Sequence, residues 1–293
     1  MRSLLQWGMI MMTWALLAGC GESGRNTSVP PPVTAAATPG DLTYQDVLQK
    51  GEVVHNLSMT PDAQRIWVGT HAGLYSSAGG GLWGALSPEL EREDVTGWFV
   101  DPDNPEHIFA AGQSGVISSK DGGKKWIRLG KGLPQPAEIR SFAGIREGEQ
   151  LRLFAFVAGE GIYQSSNAGK EWKLWLPLDQ EVYAMDYDPV EHRLYVAAQF
   201  SLLYHEEGQW KTEAVPHGQQ VYSLTVDRAN GVLAVATDQG ILEKVDGEWQ
   251  ELRAKAPEKL IVIAPGAGDY KWVGIGESAF VYALSGDKWM KWN

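Results

Sequence analysis

The chain has 293 residues, of which 44% are hydrophobic and 21% are charged, and its formal net charge at pH 7 is −11. So acidic a surface disfavours nucleic acid as a partner, and it disfavours direct electrostatic docking on anionic lipid headgroups. The chain has a single cysteine, Cys20, which excludes a disulfide or a multi-thiolate metal site within one copy of the protein.

The first 19 residues are typical of a secretory signal peptide. Arg2 precedes an apolar run over residues 4–17, which is short for a bilayer span and ends in small residues. The sequence then reads Leu17-Ala18-Gly19-Cys20, which resembles the lipobox of bacterial lipoproteins, where the cysteine is diacylated and the signal is cut just before it. The resemblance implies a lipid anchor, palmitate included, on Cys20. The alternative is an ordinary secretory signal with an incidental cysteine.

A linker follows the cysteine. Residues 21–41 contain three consecutive prolines and small polar residues, with almost nothing that a core could bury, so we expect a flexible, partly extended tether. The predicted organisation is a signal peptide at 1–19, a lipidated cysteine and linker at 20–41, and one β domain at 42–293. Residues 43–50 predict a helical turn or an extra edge strand at the start of this domain.

Tryptophan recurs at intervals of roughly 40 residues near the end of six similar units. These tryptophans are Trp83, Trp126, Trp172, Trp210, Trp249 and Trp289. Each unit has a half-apolar run, a turn, a second apolar run, a turn that contains glycine, a short third run and a tight turn into the tryptophan. Four short strands in about 40 residues are typical of one propeller blade, so the sequence predicts an all-β, six-bladed β-propeller of four-stranded blades.

The first strand of each unit is expected to line the propeller axis. The six predicted inner strands cover residues 53–59, 95–100, 139–145, 182–187, 221–226 and 260–264. Their alternation of polar and apolar residues is imperfect, as expected of strands with neighbouring blades on both sides.

The tight turns before two of the tryptophans carry a more specific motif. Residues 119–126 read Ser-x-Asp-x-Gly-x-x-Trp, and residues 165–172 repeat this with Asn167 in place of Asp121. The motif resembles the Asp box of the bacterial neuraminidase repeat, found in sialidases, sortilin-like receptors and the photosystem II assembly factor family of propellers. The resemblance implies that the box is a folding element on the face away from the usual binding site. Its acids are therefore not predicted to be catalytic or to bind calcium.

An enzymatic function finds little support in the sequence. A sialidase needs three clustered arginines, an Arg-Ile-Pro motif and a nucleophilic tyrosine with a glutamate partner, whereas here Arg65 and Ile66 are followed by Trp67. Only Arg140 is permanently cationic among the inner-strand positions near the axis. Gly-x-Ser-x-Gly, His-Glu-x-x-His, phosphate-loop and dinucleotide motifs are also missing from the sequence.

The axial end formed by the connections between blades and by the turns between second and third strands is the predicted binding site. Alignment of the units places His55, Thr96, Arg140, Tyr183, Tyr222 and Ile261 at equivalent inner-strand positions. The turns on the same face supply His71, Gln113, Glu160, Gln199, Asp238 and Glu277. The residues predicted to bind a ligand in this ring are His55, His71, Arg140, Glu160, Tyr183, Tyr222, Asp238 and Glu277.

Other interpretations of the ring remain open at this point. The polar residues could merely solvate the mouth of a water-filled channel. His55 and His71 could hold a divalent metal together with Asp238 or Glu277, although no metal and no cofactor is predicted. Three further tryptophans, outside the six outer positions, could form a binding platform or pack between blades. They are Trp98, Trp175 and Trp292.

The sequence as a whole predicts a non-enzymatic lipoprotein of the bacterial cell envelope. We expect it to be anchored in the cell membrane or the outer membrane, to face the extracytoplasmic side, and to bind a protein or glycan as a scaffold. A glycoside hydrolase or lyase that acts on an extracellular glycan is the alternative.

The first prediction concerns the anchor. Cys20→Ser should prevent lipidation and normal cleavage of the signal, because it removes the sulfur atom to which the lipid is attached. Mass spectrometry of the envelope fraction should then find an unacylated precursor in place of a diacylated mature chain. An unmodified amino terminus downstream of Cys20 in the unaltered protein would contradict the assignment.

Overall fold

The computed structural model describes residues 40–79, 81–198 and 201–292. The predicted signal peptide, Cys20, nearly all of the linker and Gln199 lie outside the described residues, so the predictions for them remain predictions. Within the described part of the chain, no helix is both long enough and apolar enough to cross a bilayer.

The described strands form six antiparallel sheets, each built from strands that are consecutive in the chain. The first elements are β1 (Leu42–Thr43) and helix α1 (Tyr44–Gly51). Blade 1 contains β2 (Val54–Met59), β3 (Ile66–Thr70), β4 (Gly73–Gly79) and β5 (Leu82–Ala85). Blade 2 contains β6 (Gly97–Val100), β7 (Ile108–Gly112), β8 (Gly115–Ser119) and β9 (Ile127–Arg128). Blade 3 contains β10 (Ile139–Glu147), β11 (Gln150–Val157), β12 (Gly161–Ser165) and β13 (Lys173–Pro177).

The second half of the domain repeats this arrangement. Blade 4 contains β14 (Val182–Asp188), β15 (Arg193–Ala198), β16 (Ser201–Glu206) and β17 (Gln209–Glu213). Blade 5 contains β18 (Val221–Asp227), β19 (Val232–Thr237), β20 (Ile241–Val245) and β21 (Glu248–Glu251). Blade 6 contains β22 (Leu260–Pro265), β23 (Tyr270–Gly276), β24 (Val281–Ser285) and β25 (Lys288–Lys291). Short 3₁₀ turns at Pro88–Leu90 and Pro216–Gly218 lie in the connections after blades 1 and 4.

The protein is therefore an all-β, six-bladed propeller of four-stranded blades, which confirms the predicted fold. All six predicted inner strands coincide with β2, β6, β10, β14, β18 and β22 to within two residues at either end. Residues 43–50 satisfy both expectations for that segment, because β1 pairs with β5 as an extra edge strand and α1 follows it at once.

Burial on both faces of the sheet is clearest in the second strands of the blades. Every residue of β3 and β7 is buried, because each blade packs against a neighbour on either side. The apolar residues of adjacent blades thereby form one continuous series of cores around the axis.

The ring closes between blade 1 and blade 6. Val54 and Leu57 of β2 share a core with Ala264 and Val273 of blade 6. Helix α1 covers this joint with Val47, which is fully buried. The hydroxyl of Tyr44 donates to the carbonyl of Ala279 at 2.8 Å, which links the helix directly to blade 6.

The two motif turns are held by hydrogen bonds from their own side chains. The Asp121 carboxylate accepts from the backbone N–H groups of Lys124 and Lys125, at 3.1 and 2.9 Å. In the next blade the amide oxygen of Asn167 accepts from the N–H of Glu171 at 3.0 Å. Since the side-chain oxygens are occupied within the turns, they act in local structure.

The tryptophans of the six units differ in burial. Trp83, Trp172 and Trp289 are buried, but Trp126, Trp210 and Trp249 are only half-buried. Trp126, the tryptophan of the first motif turn, is therefore less buried than Trp172 of the second. Its indole packs at the edge of the core between blades 1 and 2 and donates its N–H to the Gly123 carbonyl at 3.0 Å.

The three further tryptophans also have distinct positions. Trp175 and Trp292 contribute to the cores between blades and contact Phe154 and Tyr270 respectively. Trp98 lines the axial cavity, and its indole N–H donates to the hydroxyl of Ser58 at 3.0 Å.

The difference between the two motif tryptophans gives the second prediction. Trp172→Ala should lower the free energy of unfolding by about 3–5 kcal/mol, because it removes a side chain that is 2% exposed and leaves a cavity. Trp126→Ala is the matched control and should cost clearly less, since its indole is half-buried. Chemical denaturation of both variants measures the difference, and equal losses would contradict this account.

Candidate functional site

A cavity of about 860 Å³ lies along the propeller axis. All six inner strands contribute to its wall, so every blade presents side chains to this common space. Its lining combines charged and polar groups with aromatic rings.

A shift in strand register aims side chains into this cavity. In five blades the pairing between the first and second strands skips one residue close to the start of the inner strand, as at a β-bulge. The skipped residues are His55, Arg140, Tyr183, Tyr222 and Ile261. Each of them lines the cavity, as does Thr96, the equivalent residue of blade 2. A bulge residue is released from the ladder, which frees its side chain to turn toward the axis.

Blades 3, 4 and 5 supply a basic and aromatic arc of the mouth. Arg140 is 53% exposed and forms an ion pair with Glu138 at 2.5 Å. Tyr183 is 44% exposed, an unusual state for a large ring. The ammonium group of Lys259 lies 5.0 Å from the ring centre of Tyr222, within the range of a cation–π contact. This arc offers positive charge beside two phenols.

Two imidazoles and a carboxylate occupy the opposite arc, next to blades 1 and 2. Nε2 of His55 lies 3.0 Å from a carboxylate oxygen of Asp94, and the ring centres of His55 and His71 are 4.6 Å apart. The candidate ligand atoms of all three side chains lie within 4.8 Å of one another. Burial lowers the pKa of the His55 imidazole although Asp94 acts to raise it, so the ring is largely neutral at pH 7.

Backbone contacts between blades bring Asp94 to this arc. The N–H of Val95 donates to the carbonyl of Thr70 at 3.0 Å, which ties the connection between blades 1 and 2 to the end of β3. His71 is the next residue along the chain, so the bond sets its imidazole beside the Asp94 segment. Gly112 permits the close approach, because a Cβ added there would lie 1.7 Å from the Asp94 carbonyl oxygen.

The structure brings five of the eight predicted ring residues to the cavity and places three elsewhere. Those at the cavity are His55, His71, Arg140, Tyr183 and Tyr222. Their role in binding remains a prediction. Asp238, Glu160 and Glu277 do not line it.

Each misplaced acid has its own physical reason. Asp238 accepts a hydrogen bond from the N–H of Gln220 at 3.1 Å and borders a smaller cavity of about 310 Å³ between blades 5 and 6. Glu277 forms an ion pair with Lys259 at 3.3 Å. Glu160 is exposed in the turn before β12. Neither Asp238 nor Glu277 therefore accompanies the two imidazoles; Asp94 does.

Sequence alignment missed Asp94 and Glu138, which belong to connections between blades. Glu138 lies two residues before Arg140, a spacing that places both side chains on one side of an extended chain and could have indicated the ion pair. Asp94 carries no comparable signal, because its nearness to His55 and His71 arises from contacts between blades.

An ion pair lines the cavity toward its other end. A carboxylate oxygen of Asp186 lies 2.5 Å from the Arg228 guanidinium, and its other oxygen accepts from the N–H of Val226 at 2.9 Å. These groups are bonded to each other, whereas the residues of the mouth include exposed side chains.

Comparisons with known proteins agree with the fold. No protein-family profile matches the chain, and no curated protein matches it. An ancestral GH74 enzyme is similar with a TM-score of 0.56 and 16% identity over 87% of this chain, which spans only 39% of that protein's length. YCF48 bound to a D1 peptide is similar with a TM-score of 0.56 and 15% identity, and the match covers 87% of this chain and 83% of YCF48. The Neurospora crassa Pan2 WD40 domain is similar with a TM-score of 0.57 and 10% identity, and the match covers 83% of this chain and 80% of that domain. At such identities the similarity shows a propeller fold alone.

The close approach at Gly112 gives the third prediction. Gly112→Ala should displace Asp94 from His55, because the new methyl group overlaps the Asp94 carbonyl, and should destabilise the protein by about 1–3 kcal/mol. Gly115→Ala in the same turn is the control for the imidazole signals alone, since an added Cβ there has no described atom within 4 Å but the φ of +93° makes the substitution itself destabilising. Imidazole NMR signals of His55 and His71 should shift only in the first variant. Unchanged signals would contradict the role given to Gly112.

Proposed function

We propose that this protein is a lipid-anchored binding protein of the bacterial cell envelope, and that it captures a protein segment or a glycan at the mouth of the axial cavity. The observation that carries the proposal is the convergence of bulge residues from five blades on one open space. The shared backbone geometry serves a set of chemically different side chains, which suits recognition of an irregular ligand.

The exposed groups at the mouth support binding. Arg140 and Tyr183 are both about half-exposed, so a ligand that contacts them would bury two large side chains. Arginine and tyrosine are among the residue types that are enriched in binding hot spots. A phenol stacks on sugar rings or on apolar side chains, and a guanidinium pairs with carboxylates. The fold neighbour YCF48 holds a peptide, so a peptide ligand is within the range of partners we propose here.

The carboxylates at the cavity favour binding over glycoside hydrolysis. A glycosidase uses two carboxyl groups, one as acid and the other as base or nucleophile. Of the four carboxylates that line the cavity, Glu138 is paired with Arg140, Asp186 with Arg228, and Asp94 lies against His55. Only Glu181 has no ion pair among the described residues, so the cavity offers one unengaged carboxylate and not a pair. Carboxylates engaged in this way are poorly placed for proton transfer to a sugar.

The envelope location of this site follows from the sequence alone and is part of the proposal. A lipid on Cys20 and a linker of about 20 residues would place the propeller outside the membrane within reach of envelope partners. The acidic net charge of −11 is consistent with attachment by lipid instead of by charge.

The fourth prediction tests the mouth. The double change Arg140→Ala with Tyr183→Ala should reduce partner capture at least tenfold, because it removes two exposed recognition groups, each worth about 1–2 kcal/mol. The melting temperature should stay nearly unchanged, since both side chains are about half-exposed and neither belongs to a core between blades. Capture is measured in native membranes with a photoreactive residue in place of Tyr222.

The control places the same photoprobe at Val190, which is 67% exposed in the turn at the other end of blade 4. A partner captured equally from both positions, or captured undiminished by the double variant, would refute the proposal. Turnover of an envelope glycan that is lost in Asp94→Asn would replace it with the hydrolase.

A further inference from the structure

The mouth of the cavity contains a group of side chains whose chemistry suits more than the binding of a protein or glycan. His55, His71 and Asp94 come from β2, from the turn after β3 and from the connection before β6. Three separate parts of two blades thus converge on a space a few ångströms wide.

We propose that His55, His71 and Asp94 bind a divalent transition-metal ion, with Zn²⁺ as its probe, at the mouth of the axial cavity. Two imidazole nitrogens and one carboxylate oxygen are a donor set that zinc accepts in proteins, with remaining positions open to water or to a ligand. The inference is independent of the partner-binding role, since it concerns the protein by itself.

The separation of the donor atoms fits a shared ion. Two atoms that bind the same zinc at about 2.0–2.2 Å lie roughly 3.0–3.5 Å apart at bond angles of about 90–110°. Nε2 of His55 and the Asp94 oxygen are 3.0 Å apart. All three donors lie within 4.8 Å of one another, so an ion that binds them requires a small shift of His71, whose side chain is exposed.

The same two atoms have a second property that indicates an ion. Nε2 of His55 and Oδ1 of Asp94 lie 3.0 Å apart without a well-aligned hydrogen bond. Neither of these two solvent-shielded atoms has another hydrogen-bond partner among the described residues, while each side chain as a whole is 21% exposed. Buried polar atoms left unpaired are costly and rare. A cation between them would satisfy both at once.

The charges around the trio allow a cation to bind. Arg140 is the cationic group that acts on His55 across the mouth, and its charge is compensated by Glu138 at 2.5 Å. The Asp94 carboxylate supplies negative charge directly to the ion. Thr96 and Gln113, which also line this part of the cavity, are neutral.

The donor chemistry separates transition metals from the alkaline-earth ions. Imidazole nitrogen suits zinc, copper, nickel and iron, whereas calcium and magnesium require several oxygen donors. With two nitrogens among its three donors, the site should bind Zn²⁺ and not Ca²⁺ or Mg²⁺.

The fifth prediction tests the site by calorimetric titration of ZnCl₂ into the purified full-length protein after chelator treatment. We expect one equivalent to bind with a dissociation constant of about 10 µM or lower. His55→Gln, His71→Ala and Asp94→Asn should each weaken binding by at least about tenfold, because each removes one donor. Ca²⁺ and Mg²⁺ at the same concentrations should give no heat of binding.

His192→Ala is the matched control. This histidine also lies near a carboxylate, 3.7 Å from Glu147, but in an exposed turn without a second imidazole. Its loss should leave zinc affinity unchanged. His71→Ala keeps the test sound if the other variants fold poorly, because His71 is exposed and its truncation removes no core contact.

Bound Co²⁺ provides a spectroscopic check, since its visible absorption reports nitrogen and oxygen donors and should be lost in His71→Ala. Absence of zinc binding at 100-fold excess, or binding that His192→Ala weakens as much as His71→Ala, would overturn the proposal. The two proposals can fail separately. If the unaltered protein binds zinc but the Arg140→Ala, Tyr183→Ala double variant still captures the partner, the proposed function is refuted and the metal site is supported.

Discussion

The whole arrangement depends on apolar packing between the first and the last blade. Each sheet is built from strands that are consecutive in the chain, so no strand is exchanged to hold the circle closed in the part of the chain that the structure describes. Closure rests instead on the core shared by β2 and blade 6 and on helix α1, whose Val47 is fully buried over the joint. Only a closed ring places His55 of blade 1 and Tyr222 of blade 5 around one space.

Within that ring, the bulge near the start of the inner strands places the residues proposed to contact a ligand outside the cores that stabilise the fold. A regular strand would direct every side chain into one of the two interblade cores, where size and polarity are tightly constrained. The residue skipped in the ladder escapes this constraint, so the same backbone position carries His55, Arg140, Tyr183 and Ile261 in different blades. Chemical variety at equivalent positions is thus compatible with six similar blades, and the mouth can be changed without repacking the cores.

The periodic features of the chain were predictable from sequence, and the features that arise between units were not. Recurrent tryptophans and turn residues identify the blades, and alignment of the units found His55 and Arg140 because each occupies a repeated position. Alignment of the units did not find Asp94, because a backbone hydrogen bond from Val95 to Thr70 at the end of β3 brings it to the site. Asp238 was expected at the cavity but does not line it, because its carboxylate accepts a hydrogen bond from the backbone N–H of Gln220. The repeat pattern contains no signal for this local contact.

The two proposals together give the mouth a chemical polarity. One arc carries Arg140 and two phenols, and the other carries the His55, His71 and Asp94 donor set. A protein with a net charge of −11 repels acidic ligands at long range, so an acidic ligand needs positive charge concentrated at the place of contact. Arg140 supplies some of it, though Glu138 offsets that charge.

A bound transition metal with open coordination positions would add a second positive centre across the cavity. A ligand with an anionic group and an aromatic or sugar ring could then be held at both arcs, and removal of the metal would weaken only the anionic contact.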